Sequence, residues 1–119
     1  MEHSRVLVVS DSPDRRNFLE YHIRRHNLAT VCYPNIMSAK KSVRLDLFFM
    51  VVVDLSIPVE SKLTLVKETC DHQPDAQVIT IGKTEYLEKS GILSSLASVV
   101  SLDSIESFPD RLGSYVTEG

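Results

Sequence analysis

The sequence predicts an α/β domain: a doubly wound, five-stranded parallel sheet built as (βα)5, with helices on both faces. Three observations lead there. The strand-like segments are continuous aliphatic runs, such as Val6 to Val9 and Met50 to Val53, as strands buried on both faces require. The segments between them carry helix-start signals and helical spacing. The chain has 119 residues, close to the usual size of one compact domain.

The elements follow in order. Val6 to Val9 predicts the first strand. Ser10-Asp11-Ser12-Pro13 then offers capping side chains and a proline in the first helical turn. Phe18, Leu19, His22, Ile23 and His26 form one stripe of that helix; Arg15, Arg16, Arg24 and Arg25 lie off it, and Asn27 suits a left-handed end. Ala29 to Tyr33 predicts the second strand, stopped at Pro34-Asn35, and Ser38 to Leu45 a weaker second helix. Phe48 to Leu55 is the strongest strand, ended by Pro58, and Ser61 to Cys70 a third helix. Gln77 to Ile81 predicts the fourth strand, Thr84 to Leu96 a fourth helix weakened by Gly91, and Ser98 to Leu102 the fifth strand. Ser107-Phe108-Pro109 opens a last helix reaching about Val116. Strands alternating with helices imply right-handed crossovers in one parallel sheet.

Composition narrows the function classes. Apolar residues make up 43% and charged residues 24%, ordinary for a globular domain. The net charge of −3 gives no sequence-independent pull toward nucleic acid. Cys32 and Cys70 form no CxxC pair and read as reduced thiols. The longest apolar stretch, Leu47 to Val53, is too short to cross a membrane, and no signal peptide is legible. The expected compartment is the cytoplasm. One domain, residues 1–119, accounts for the pattern, and an output domain following residue 119 is compatible with it.

In such sheets, ligands sit at the carboxyl ends of the strands. That rule nominates Ser10-Asp11, Asp54, Gly82-Lys83 and Ser101-Leu102-Asp103. Asp11 and Asp54 leave two strands expected to be neighbours, and two carboxylates converging there suit Mg²⁺. Asp11 reads equally well as a helix cap. Asp54 directly follows a fully apolar strand, where a charge needs partners.

Two segments carry a resemblance to a known family. Val6 to Pro13, with Arg16, Leu19 and Ile23 beyond, resembles the opening of a receiver domain of two-component response regulators. Val51 to Pro58 resembles the family's phosphoacceptor segment. The resemblance spans about Arg5 to Thr117. It implies a flavodoxin-like fold, with Asp54 as phosphoacceptor, Asp11 and Asp54 as metal ligands, and Ser56 offering its backbone carbonyl to the same Mg²⁺. It also implies a histidine kinase or downstream effector as partner. The signalling face, and the face for a homodimer, would be the helix over Thr84 to Leu96, the fifth strand and the last helix.

The chain departs from the family pattern at several positions. Ser10 stands where the family has an acid, which weakens Mg²⁺ binding. Gly82 stands where it has a hydroxyl residue, and Ser101 or Leu102 where it has lysine. Ser61-Lys62 replaces an Asp-Gly pair. The expectation is a degenerate receiver that is not an enzyme and works mainly by binding protein, with no membrane or nucleic-acid partner of its own. The alternatives are a competent Mg²⁺-dependent phosphoacceptor modified on Asp54, and a small-ligand flavodoxin-like module.

Other signals are weaker. Gly82-Lys83-Thr84 lacks the glycine-rich cradle of a phosphate loop. His22 and His26 have i, i+4 metal-pair spacing but no evident third ligand, so they read as packed histidines. Lys83 reads as a solvated loop residue, and the arginines and lysines of the first two helices as a solvated basic face.

Overall fold

A computed structural model describes residues 5–54, 59–73, 75–82 and 99–116, without the side chains of 59–63. Five parallel strands form one sheet in the order β2-β1-β3-β4-β5. They are β1 (Arg5–Ser10), β2 (Ala29–Tyr33), β3 (Met50–Asp54), β4 (Gln77–Ile81) and β5 (Val99–Leu102). Among the described residues four α-helices accompany them: α1 (Pro13–Arg24), α2 (Ile36–Leu45), α3 (Val59–His72) and the C-terminal α4 (Phe108–Val116), the last preceded by a short 3₁₀ turn, Ile105–Ser107. The predicted second and fourth strands match to the residue. The helix expected over Thr84 to Leu96 lies outside the described residues.

The aliphatic runs explain the layering. Alternate residues of each strand face opposite sides, so a run with no polar member buries both. Val6, Val8, Met50, Val52, Ile79 and Ile81 pack with Leu19 and Ile23 of α1 and Phe108 and Leu112 of α4. Leu7, Val9, Val51 and Val53 pack on the other face with Ala39 and Val43 of α2 and Leu65 of α3. At roughly 1.5–3 kcal/mol for each large aliphatic side chain buried, these two layers dominate the fold's stability.

The helix ends follow from local chemistry. Ser12 caps α1, its hydroxyl accepting from the Arg15 amide at 3.4 Å, with Pro13 in the first turn. Asn35 caps α2 by accepting from the Ser38 amide at 3.0 Å. Asn27 has φ 61°, the left-handed conformation expected after α1. The α1 stripe is shorter than predicted: Leu19 and Ile23 are buried, His22 is half-buried, and His26 is exposed rather than packed. Cys32, on β2, is half-buried.

Two side-chain arrangements close the α2–α3 layer. Glu68 of α3 pairs with Arg44 and, at 3.8 Å, with Lys40 of α2. Buried Gln73, just past α3, accepts from the Phe48 amide at 3.1 Å. Its side-chain nitrogen donates to the Val43 carbonyl at 2.7 Å and also to the Asp46 carbonyl.

Candidate functional site

β1 pairs with β2 on one side and β3 on the other, so the strand order reverses direction at the β1–β3 boundary. In open parallel sheets this switch point opens a crevice at the carboxyl edge. Register puts Ser10 of β1 directly beside Asp54 of β3 there. Asp54 is 4% exposed and Ser10 fully buried.

A carboxylate in that position needs donors. Arg15, in the first turn of α1, supplies two in a fork: Nε to Oδ2 and Nη2 to Oδ1, both at 2.7 Å. The Ser10 hydroxyl donates to Oδ2 at 3.0 Å. Arg16 steadies this arrangement by donating Nη1 to the Ser10 carbonyl at 2.7 Å. Bidentate Arg–carboxylate pairing is the strong, directional form of an ion pair. Its hydrogen bonds to Asp54 hold the Arg15 guanidinium above its ordinary pKa; burial opposes this, and the charges of Asp54, Glu106 and Asp11 add to it. Arg15 therefore stays cationic, and its field reaches from β3 to the turn that follows β5.

The predicted site residues distribute as follows. Asp54 and Ser10 come together at the switch point. Asp11 is exposed at the rim, close enough to act on Arg15 through its charge. Ser56 lies outside the described residues, as does Lys83. Gly82 follows β4 with φ 129°, a conformation that disfavours any residue with a side chain, and donates its amide to the Leu102 carbonyl at 2.9 Å. A hydroxyl residue at position 82 would demand a different backbone. Ser101 lies 3.1 Å, oxygen to oxygen, from the Thr80 hydroxyl, with which it is in register, and Leu102 is buried.

Sequence reasoning missed Arg15, which it placed on a solvated basic face. The missed signal was available: the first turn of a helix that follows a parallel strand rises from the carboxyl edge, and Asp54 had lost its neighbouring acid to Ser10. A buried carboxylate without a metal cluster calls for a cation.

The donor set does not fit a divalent ion while Arg15 is in place. Both Asp54 oxygens already accept from the guanidinium, and Ser10 adds a donor rather than a ligand. No cluster of three or more His, Cys, Asp or Glu among the described residues could hold a metal.

Comparison with known proteins bears on the fold. A chain from Rhodopirellula baltica described as adenylate cyclase superposes with TM-score 0.76 at 12% identity, covering 98% of this chain and 89% of that one. A response regulator from Burkholderia pseudomallei, with a phosphorylated aspartic acid and a calcium ion, gives 0.73 at 24% identity over 96% and 69%. The response regulator TrrA from Thermotoga maritima, in complex with Mg²⁺ and BeF, gives 0.71 at 19% over 93% and 97%. This is the receiver fold. The likeness to response regulators is one of architecture, and the cyclase likeness at 12% identity carries no activity with it. No protein-family model and no curated protein matches the chain. Among the described residues of this receiver fold, no helix is long and apolar enough to cross a membrane.

Proposed function

We propose that the chain is a signal-transduction receiver domain, one unit over residues 1–119, that acts through contacts with a protein partner and holds Asp54 in a standing ion pair. The observation that carries this is the Arg15 fork. A phosphoacceptor must present a free carboxylate oxygen to the incoming phosphorus, next to a metal that offsets the developing charge. Here both oxygens are engaged by a fixed cation. Ser10 in place of an acid, Gly82 in place of a hydroxyl, and Ser101 or Leu102 in place of lysine remove what would hold a metal and report a phosphate. A ligand shifts an equilibrium only through contacts that differ between states, and few remain here.

The proposed working surface is the β5–α4 side, where a cleft of about 520 Å³ is lined by Ser101, Asp103, Ser107, Asp110 and Arg111, among other described residues. The charges of both signs on this surface would set the orientation of an effector or a second copy docking there by complementarity. A second reading, a competent phosphoacceptor, is favoured by the position of Asp54 at the switch point and by the phosphorylated aspartic acid of the Burkholderia pseudomallei neighbour.

One experiment separates them: a small acyl phosphate with Mg²⁺, read by intact mass, with Asp54→Asn as control. The expected result is a trace adduct on the native chain. Freeing the carboxylate with Arg15→Gln raises the yield. A stoichiometric, Asp54-dependent adduct on the native chain overturns the proposal in favour of the second reading.

A further inference from the structure

A second cluster lies along α1 from the Asp54 site. Ten residues separate Arg15 from Arg25, about 15 Å along the helix axis. There His22, Arg25 and His26, with Pro109 of α4, line a cleft of about 330 Å³, and no carboxylate is among its described lining residues. His22 sits in the last turn of α1, Arg25 caps that helix and His26 follows in the turn beyond it, so all three stand at one end of α1.

Aromatic neighbours hold two of the three in place. The His22 ring meets Phe18 edge-on at 4.6 Å and Tyr21 at 5.1 Å. The Arg25 guanidinium lies over the Tyr21 ring, 5.7 Å from its centroid. A cation–π contact uses the guanidinium face and leaves its N–H edge for an acceptor. The nearby charges do not cancel the cluster: Glu20 is engaged with Arg24 at 3.7 Å and with the Thr30 hydroxyl at 2.8 Å, while exposed Asp110 and Arg111 on α4 oppose each other in sign.

We propose that His22, Arg25 and His26 form a binding site for a tetrahedral oxyanion of the phosphate class, separate from Asp54. N–H donors around a cleft with no carboxylate among its described lining residues suit a doubly charged oxyanion and disfavour a metal cation, which Arg25 would repel.

The test is an NMR titration of the imidazole ring nitrogens with sodium sulfate at constant ionic strength, at pH ~6 and pH ~8, where sulfate keeps its charge and imidazoles in general lose theirs. The expected result is saturable shifts of the His22 and His26 rings at the lower pH. Affinity then falls about tenfold or more at the higher pH. His26→Gln and Arg25→Gln, both at exposed positions, each weaken binding several-fold without changing the melting temperature. A phosphoserine peptide run beside its serine counterpart identifies the source: tighter binding than sulfate means a phosphate monoester on a partner, equal or weaker binding a free oxyanion. The proposal fails if the shifts follow ionic strength alone, do not saturate in the millimolar range, or persist unchanged in the two variants.

Discussion

The two halves of the sheet's carboxyl edge treat charge in opposite ways. Between β1 and β3, a buried carboxylate is answered by a guanidinium fork and a hydroxyl. Between β4 and β5, the side-chain and turn contacts of the described residues are neutral: the Thr80–Ser101 hydroxyl pair and the amide of Gly82 on the Leu102 carbonyl. The difference shows from which side the Asp54 charge is cancelled. The cation comes from α1, before β2, rather than from the end of β5. What reaches the β5 side is the field of Arg15 at Glu106, not a direct contact with Asp54.

The largest expected effect tests that asymmetry. Arg15→Ala leaves a buried carboxylate with Ser10 as its side-chain donor among the described residues. Breaking a fully buried pair costs about 3–5 kcal/mol. Because the Arg15 side chain is 42% exposed, water compensates in part and the expected loss in denaturant unfolding is about 2 kcal/mol. The Arg15 pKa is raised from its ordinary value, so its contribution is complete below that ordinary value and is lost only as pH rises through the higher folded value. The native-minus-variant difference should therefore stay level between pH ~6 and ~10. A loss below about 0.5 kcal/mol would mean the fork is ornamental.

A smaller effect is expected on the neutral side. Thr80→Val keeps the shape and removes one member of a hydroxyl pair, costing about 0.5–1 kcal/mol. If this variant lost more than Arg15→Ala, the β4–β5 half would be the better-anchored one and the comparison would be reversed.

The smallest effect concerns Glu106. The Ser104 hydroxyl, its own backbone amide and the Arg15 charge hold its carboxyl below the ordinary 4.5. A lowered carboxylate pKa stabilises the fold above the ordinary value and loses that stabilisation as pH falls through the folded value. Glu106→Gln should flatten the acid limb of the stability curve slightly, and less so in an Arg15→Ala background. Equal flattening in both backgrounds would show that Arg15 does not act on Glu106.

The sequence made the sheet legible because the cores of β1 and β3 are aliphatic without interruption, and only burial on both faces explains Met50-Val51-Val52-Val53. Asp54 was legible for the same reason, as a charge at the end of such a strand. Arg15 was not, because periodicity assigns a helix residue to a face and cannot show that a long side chain reaches past the helix end to the next strand. The positive φ of Gly82 was equally hidden: a glycine in sequence records that a side chain is missing, not which backbone its absence permits. The Glu68 and Gln73 contacts join residues 24 to 30 positions apart, beyond the reach of local pattern.

Gln73 has a consequence for how the molecule breathes. Its one amide group ties the last turn of α2, the connector at Asp46 and the entrance to β3 to the end of α3. Local openings follow such ties as cooperative units. The Phe48 amide proton can exchange with solvent only when the end of α3 lets go, so α2, its connector and the α3 terminus should share one opening free energy in hydrogen exchange. Gln73→Ala would split that unit, and the Phe48 proton would then exchange at the rate of the connector alone.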